Sequence, residues 1–528
     1  MSTLLCVPIM VNDIEQALDD AAQAQQHGAD LVEFRVDTLF SGSGEPSEID
    51  ACLLLSKRSA LPCIVTCRSA EEGGHYDGPD DARIALYEAL GTSDHPPAYI
   101  DLEFSTWQRS ANLRQKVLLG VAHKGQQKPG VTTRLILSHH NLEGRPADLI
   151  RTLAQMRQVE AAAILKIAYT ARSIRDNLEL FEILRDRDRP TIALGMGEPG
   201  LMSRVLAPKF GAFLTFASLR DNSTTAPGQP TIRDLLDRYR FRSITPSTNI
   251  LGVVGWPVSH SLSPLLHNAG FEDVGFDGVY LPLPVAPSYE GCKASLTSLL
   301  DDPNLDLAGA SITIPHKQHA LRLAEELAWE IDDLASRASA ANTIVRNTDS
   351  IEVHNTDIEG ITSPLVSMLG DLSGARVLIL GAGGAARAAA FAMLEHDAIV
   401  HATNRSQDNL DTLCAHLNTI APVPWDQRHT TNAQIIINTT TVGMSTGPAP
   451  DESPIDLHAC SNLPDNAVVF DTVYAPRDTP LLRQARTIGL RTVGGIEMFI
   501  EQAARQFSLW TEHDAPRQHW RELLEEHS

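Results

Sequence analysis

The chain lacks any run of about 18 apolar residues, so no helix is expected to cross a membrane. Cysteine is scarce: seven are scattered over 528 residues and no two form a C-x-x-C pair. Neither a disulfide framework nor a zinc site is expected from that usage, no metal is implied, and the expected setting is a reducing compartment. Positive charge is short, with 43 Lys and Arg against 66 Asp and Glu and a formal net charge of −23. That balance opposes nucleic acid or an anionic membrane as the main partner. Small anionic substrates stay open, because local Arg and Lys clusters overrule the global field. No basic region precedes the first apolar run, MSTLLCVPIM, and there is no Ser- and Arg-rich transit segment. The run is expected to be a first strand and the location cytoplasmic. Internal repeats and extended low-complexity segments are also absent.

What remains is 43% hydrophobic and 21% charged, a globular composition on a chain too long for one core. Short apolar strands are predicted at Leu4–Ile9, Asp30–Val36, Cys63–Thr66, Ala98–Leu102, Thr133–Leu137, Ala162–Ile167, Thr191–Leu194 and Phe213–Phe216. Helical stretches separate most of them, as at Asp13–His27, Asp80–Leu90, Pro146–Gln158 and Ser173–Arg185. Eight strands over about 220 residues fit a (β/α)8 barrel, with an open doubly wound sheet as the alternative. Tyr239–Asn249, YRFRSITPSTN, reads as a polar linker, and a strand at Ile250–Gly255 opens a second α/β region. The expected domains are 1–240, 247–360 completed by 495–528, and 361–494.

The most informative stretch is Val377–Arg387, VLILGAGGAAR. A buried strand runs into a glycine turn and then a helix. Free backbone N–H groups and the helix dipole converge there on a phosphate. The third glycine of the fingerprint is Ala386, an accepted variant. After the next apolar segment comes Asn404-Arg405-Ser406. An acid there would hold the ribose 2′-hydroxyl of NAD, whereas Arg405 suits the 2′-phosphate of NADP.

In the first half, charged residues fall where strands end, the catalytic face of a barrel. They are Glu33 and Arg35, Arg68 and Glu72, His139 and His140, Arg204 and Gln229. Lys166 sits inside the apolar run AAAILKIA. A buried ammonium is costly unless paired, so this residue is either a nucleophile of lowered pKa or a structural lysine paired to a carboxylate. Adjacent His139 and His140 point to opposite sides of a strand, so one of them faces the site. In the second half, Ser261, Ser263, Thr313, Lys317, Asn342, Asp357, Tyr474 and Gln502 suit a small polyhydroxylated substrate. Lys317 with Asp357 could relay the proton that hydride transfer at an alcohol needs. Any one of these serines or asparagines could equally be a turn or helix cap.

Residues 1–240 resemble the type I 3-dehydroquinate dehydratases, on EFRVD, CRSAEEGG, the histidine after a strand, ILKIA, GLMSRV and APGQ. The resemblance implies a barrel that removes water through a lysine Schiff base. Lys166 would be the nucleophile, His140 the acid/base and Glu72 its orienter. Arg204 would clamp the substrate carboxylate; Glu33, Arg35, Arg68, Thr225 and Gln229 would hold hydroxyls and order the site. Residues 247–520 resemble the shikimate dehydrogenases, on SHSLSP, TIPHK, ANT, NTD, GAGGAAR, NRS, VYAPRDTPL and EQAA. Here Lys317 and Asp357 would form the catalytic pair. Ser261 and Ser263 would bind the carboxylate, and Thr313, Asn342 and Gln502 the ring hydroxyls. Tyr474 would lie near carboxylate or nicotinamide. Gly381, Gly383, Gly384, Ala385 and Gly495 would meet NADP, as would Asn404, Arg405 and Ser406. Three departures stand out. Ser311 replaces the family's Asn, Ile358 its Gly after Asp357, and Asn409 its second cation for the 2′-phosphate. Together the halves resemble a fused plant-like enzyme acting on small molecules, a monomer or dimer. The alternatives are quinate oxidation with NAD, or a non-catalytic regulator built on the same folds.

Overall fold

Parallel strands buried on both faces are near-continuous apolar runs, and eight such strands open the chain. They are β1 (Leu4–Met10), β2 (Leu31–Arg35), β3 (Cys63–Thr66), β4 (Tyr99–Glu103), β5 (Arg134–Asn141), β6 (Ala162–Thr170), β7 (Thr191–Met196) and β8 (Leu214–Phe216). The computed structural model describes residues 2–43, 45–122, 132–221, 228–417 and 419–527. All neighbours in the order β7-β6-β5-β4-β3-β2-β1-β8 pair in parallel. The Phe213 N–H donates to Thr191 O at 2.8 Å, which brings the entry of β8 against β7. The sheet is thus a near-closed (β/α)8 barrel, as the alternation of elements predicts. Cys6, Leu31, Ile64, Tyr99, Ile136, Ile164, Ile192 and Leu214, one residue from each strand, fill the interior toward the strand N-termini. Toward the C-terminal ends, Ala168, Leu194, Met196 and Phe216 share the space with polar side chains.

Two local readings change. β5 does not stop at Leu137: its pairing with β6 continues from Ser138↔Lys166 to Asn141↔Tyr169, so both histidines lie within the strand. The segment read as a polar linker is packed down, because Tyr239, Phe241 and Ile244 bury their side chains.

The chain forms two compact units, Met1–Asn268 with Asp277–Leu307, and Ala269–Phe276 with Ala308–Ser528. The first also holds β9 (Asn249–Gly255) and β10 (Gly278–Pro284), paired in parallel. The second holds β11 (Leu307–Ile312, from Ala308 on), β12 (Glu330–Ile331), β13 (Thr343–Arg346) and β14 (Ile351–His354). β13 runs antiparallel to both β11 and β14.

The rest of the second unit is a parallel sheet of β15 (Arg376–Leu380), β16 (Ile399–Thr403), β17 (Ala421–Pro422), β18 (Ile435–Asn438), β19 (Val468–Asp471) and β20 (Arg491–Val493). Its order is β17-β16-β15-β18-β19-β20. That is the 3-2-1-4-5-6 order of a dinucleotide-binding fold, with its switch point between β15 and β18. The alanine-rich helix Gly384–Leu394 buries Ala386, Ala389, Ala390 and Met393 in the core that also takes Val377 and Ile379 of β15. Small side chains let helix and strand approach closely.

Lys209 fastens the segment after the barrel. Its side chain is 1% exposed, and Nζ donates to Pro246 O at 2.9 Å, Thr248 O at 2.9 Å and Asp306 Oδ2 at 2.8 Å. All three ammonium donors are therefore used. Lys209→Met leaves two carbonyls and a carboxylate without their donor. It is expected to lower the unfolding free energy by about 2–4 kcal/mol in a denaturant titration. An unchanged midpoint would contradict the fastening role.

Candidate active sites

Alternation along a strand puts residues i and i+2 on one face. Ser138 and His140 of β5 are register partners of Lys166 and Ala168 of β6. His140, Lys166 and Ala168 line one cavity of about 380 Å³, with Glu33, Arg35, Arg68, Glu72, Arg204 and Gln229 also in its wall. His139 is not among the lining residues. Thr225 lies outside the described residues.

Lys166 Nζ donates to Asp101 Oδ2 at 2.9 Å, stands 3.6 Å from Glu33 Oε1 and lies 4.7 Å from the centre of the Phe216 ring. Arg68 donates to Asp101 at 2.8 Å, to Glu103 at 3.1 Å and to Ser138 Oγ at 2.9 Å. Burial pushes the Asp101 carboxyl up, but Arg68 and Lys166 outweigh it and hold the group well below the usual range. Both readings of Lys166 thus meet in one geometry: it is paired to a carboxylate, and it faces a cavity.

Asp101, Glu103 and Ser138 escape a reading that looks only past strand ends. The available signal is the pair of acids two apart in AYIDLEF, which period 2 turns to one face. Glu103 also takes Arg83 Nη1 at 2.7 Å.

The turn CRSAEEGG brings Glu72 over the cavity. Gly74 folds so tightly onto the loop that a Cβ would fall 2.0 Å from Arg68 O. Glu72 Oε2 accepts from the His140 backbone N–H at 2.9 Å and lies 3.2 Å from His140 Nδ1. Burial, then the Arg68 charge, pull the His140 pKa down to about 4, against the hydrogen bond to Glu72. Burial raises the Glu72 carboxyl, but His140, Arg68 and Ser105 hold it down to about 2. At neutral pH the imidazole is a free base beside an ionised carboxylate.

Arg204 differs from the other buried cations. It is 1% exposed and makes no ion pair among the described residues, and burial alone pulls its pKa down to about 10. A buried guanidinium without a counter-ion suits an anionic ligand.

In the second unit, Lys317 opens the helix Lys317–Glu326 and Asp357 opens the helix Asp357–Leu369. Lys317 Nζ donates to Asp357 Oδ2 at 2.5 Å. Asn342 Nδ2 donates to Asp357 Oδ1 at 3.0 Å, and Asn355 Oδ1 accepts from the Asp357 N–H at 3.1 Å. Asn342 Oδ1 also accepts from the Thr356 N–H at 2.8 Å. The carboxylate is fixed at a helix N-terminus, where negative charge is favoured. Lys317 stays one-third exposed, free to reach a ligand.

Ser311 is tied to Gln506 at 2.8 Å, and Gln506 in turn donates to Thr343 Oγ1 at 3.0 Å. Gln502 lies on the helix Gly495–Thr511, close to Gly360 of the Asp357 helix. Thr313 is half-buried, and exposed Tyr474 stacks on Phe499 at 6.2 Å. Ser261 and Ser263 belong to the first unit, where Ser261 Oγ accepts from the Ser263 N–H at 3.2 Å.

A second cavity of about 380 Å³ sits at the carboxyl ends of β15, β16 and β18, lined by Gly381, Ala382, Gly383, Asn404, Arg405 and Thr439–Val442 among others. Gly381 takes φ +121°, and a Cβ there would lie 2.5 Å from Thr439 Oγ1. A Cβ at Gly383 or Gly384 would meet nothing within 4 Å, so the helix start faces open space. That cradle, with Arg405 beside it, fits a dinucleotide phosphate. Ser406 also caps the helix Gln407–His416, its Oγ accepting from the Asn409 N–H. Gly495 is packed so closely on Thr472 and Val473 that a Cβ would meet their backbone at 2.6 Å.

Residues 5–246 match the family model for type I 3-dehydroquinase. Residues 253–344 match the shikimate dehydrogenase substrate binding domain, and 495–525 the shikimate 5′-dehydrogenase C-terminal domain. The chloroplastic bifunctional 3-dehydroquinate dehydratase/shikimate dehydrogenase of Arabidopsis thaliana is 36% identical over 99% of this chain and 84% of its own length. The NADP(+) shikimate dehydrogenase of Pelobacter propionicus is 39% identical over 52% of this chain and 94% of its own. A solved dehydroquinate dehydratase and shikimate dehydrogenase from S. pombe aligns over 99% of this chain and 98% of its own, at 24% identity and a TM-score of 0.44.

The electrostatics of His140 give a direct expectation. With its pKa at about 4 rather than 6.5, the imidazole remains neutral as pH falls to 5, while exposed histidines protonate. Imidazole NMR on ¹³C-histidine-labelled protein, assigned with His140→Gln, reads this. A midpoint near 6.5 would contradict it.

Proposed function

Because the chain belongs to the family of bifunctional 3-dehydroquinate dehydratase/shikimate dehydrogenases, we propose that the two clusters described above are its two active sites. The protein dehydrates 3-dehydroquinate and reduces the product, 3-dehydroshikimate, to shikimate with NADPH. The observation that carries the assignment in the barrel is one cavity shared by buried Lys166, neutral His140 and unpaired Arg204.

Arg204 grips the substrate carboxylate. Lys166 gives up a proton and adds to the ketone carbon; that proton returns to the carbinolamine hydroxyl, which leaves as water as the C=N bond forms. The iminium draws electrons from the neighbouring carbon, and His140 accepts that carbon's proton. The resulting enamine expels the hydroxyl one carbon further on, which leaves as water with the proton His140 returns. Hydrolysis of the iminium then frees Lys166. Glu72 orients His140. Arg68 gives its donors to Asp101, Glu103 and Ser138, so it orders the site, and Arg35 does the same through Asp37. Glu33, Gln229 and Thr225 hold hydroxyls.

In the second half, bound NADPH supplies the hydride. Lys317 gives a proton to the developing alkoxide, and Asp357, braced by Asn342 and Asn355, keeps the ammonium aimed. Thr313, Asn342 and Gln502 bind ring hydroxyls, Ser261 and Ser263 the carboxylate, and Tyr474 lies at the carboxylate or nicotinamide. Gly381, Gly383, Gly384 and Ala385 cradle the pyrophosphate. Asn404, Arg405 and Ser406 meet the adenosine ribose and its phosphate, and Gly495 belongs to the cofactor-binding set. The domains run 1–240, 247–360 with 495–528, and 361–494.

We place the chain in the cytoplasm, acting on small molecules rather than nucleic acid, as a monomer or dimer. In support, all seven cysteines are free, and no helix among the described residues is long and apolar enough to cross a membrane.

A coupled assay that starts from 3-dehydroquinate and follows NADPH absorbance tests both sites. Lys166→Ala is expected to lose about 10³-fold or more and to regain NADPH oxidation when 3-dehydroshikimate is added. Lys317→Ala is expected to stay slow with either substrate. A wild-type protein silent with both NADPH and NADH would overturn the assignment and favour a regulator.

A further inference from the structure

A 2′-phosphate carries about −1.5 to −2 charges at neutral pH, more than one arginine balances. The helix that follows Arg405 offers no second cation. It begins Gln407-Asp408-Asn409, and the charge in its first turn is the acid Asp408. The cavity at the glycine turn nevertheless holds another guanidinium. Arg428 lies on the short turn Trp425–Thr430 after β17, and both Trp425 and Arg428 line the same cavity as Gly381, Gly383 and Arg405.

Arg428 is set in place before any ligand arrives. Its guanidinium carbon lies 4.0 Å from the centre of the Trp425 ring. Nε donates to Pro454 O at 3.0 Å and Nη1 to Trp425 O at 2.5 Å. Nη2 has no hydrogen-bond partner, and Arg428 no ion pair, among the described residues. Burial lowers its pKa despite Cys460 and Asp426 nearby, as for a cation short of a counter-ion. Glu452 lines the same cavity, which thus carries two cations against one acid.

Resting on the cofactor site proposed above, we propose that Arg428, held over the Trp425 ring, is the second cation for the 2′-phosphate of NADP. With Arg405 it sets the preference for NADP over NAD. A stacked, twice-anchored guanidinium loses little freedom on binding and presents its remaining N–H groups to phosphate oxygens. The role that a cation on the helix would fill is met by a residue of the turn Trp425–Thr430.

The test needs no turnover. Calorimetric titrations with 2′,5′-ADP and with 5′-AMP, which lacks the 2′-phosphate, compare wild type, Arg428→Ala, Arg428→Lys and Arg405→Ala. Arg428→Ala is expected to weaken 2′,5′-ADP about tenfold while changing 5′-AMP less than about twofold. Arg428→Lys regains part of that loss. The NADPH-to-NADH ratio of kcat/KM falls by the same factor. Equal weakening of both ligands would make Arg428 a structural or stacking residue and overturn the inference. So would no weakening at Arg428→Ala alongside a loss at Arg405→Ala, which leaves the cofactor site intact. Indifference of both variants would overturn the site and the inference together.

Discussion

The charged interior of the barrel depends on one carboxylate. Asp101 has no exposed surface, yet it accepts Lys166, Arg68 and Ser138 at once. Withdrawing ions from water costs several kcal/mol each unless close partners and further hydrogen bonds offset it. Asp101 and Glu103, two apart on β4, supply that offset for Lys166, Arg68 and Arg83. Once these charges are satisfied among themselves, Arg204 is left without an ion pair among the described residues. The same pairing that makes the interior tolerable therefore leaves Arg204 for the anionic substrate proposed above.

The two lysines sit in contrasting settings. Lys166 is buried, faces a hydrophobic ring and keeps company with a neutral histidine, which suits covalent chemistry at a carbonyl away from bulk water. Lys317 is one-third exposed and held by an aspartate at a helix start, which suits a proton delivered to an oxygen. Each lysine is aimed by an acid that is itself fixed by hydroxyl, amide or backbone donors. Both acids are buried; the lysines differ in depth, Lys166 enclosed and Lys317 one-third exposed.

Much of this is legible in the sequence, for physical reasons. The barrel follows from eight apolar runs alternating with helices, and the dinucleotide fold from a strand, a glycine turn and an alanine-rich helix. Lys166 stands out because a lysine in an apolar strand must be paired. Asp101 and Glu103 are harder to see: AYIDLEF looks like a strand with polar interruptions until its neighbours in the barrel are known. The reach of β5 through His140 depends on its partner β6. The packed segment after the barrel depends on Lys209, some 40 residues upstream of the carbonyls it binds. Arg428 carries no local pattern at all, since only the fold brings it to the cavity of the glycine turn.

The account turns on Lys166 as a buried, paired amine that forms a covalent bond to a ketone. Borohydride added to the protein during turnover of 3-dehydroquinate would reduce such an iminium to a stable amine, and peptide mass mapping would locate it. The account predicts a single ligand-sized mass increment on Lys166, absent when substrate is omitted. No increment, or one on a different lysine, would contradict it.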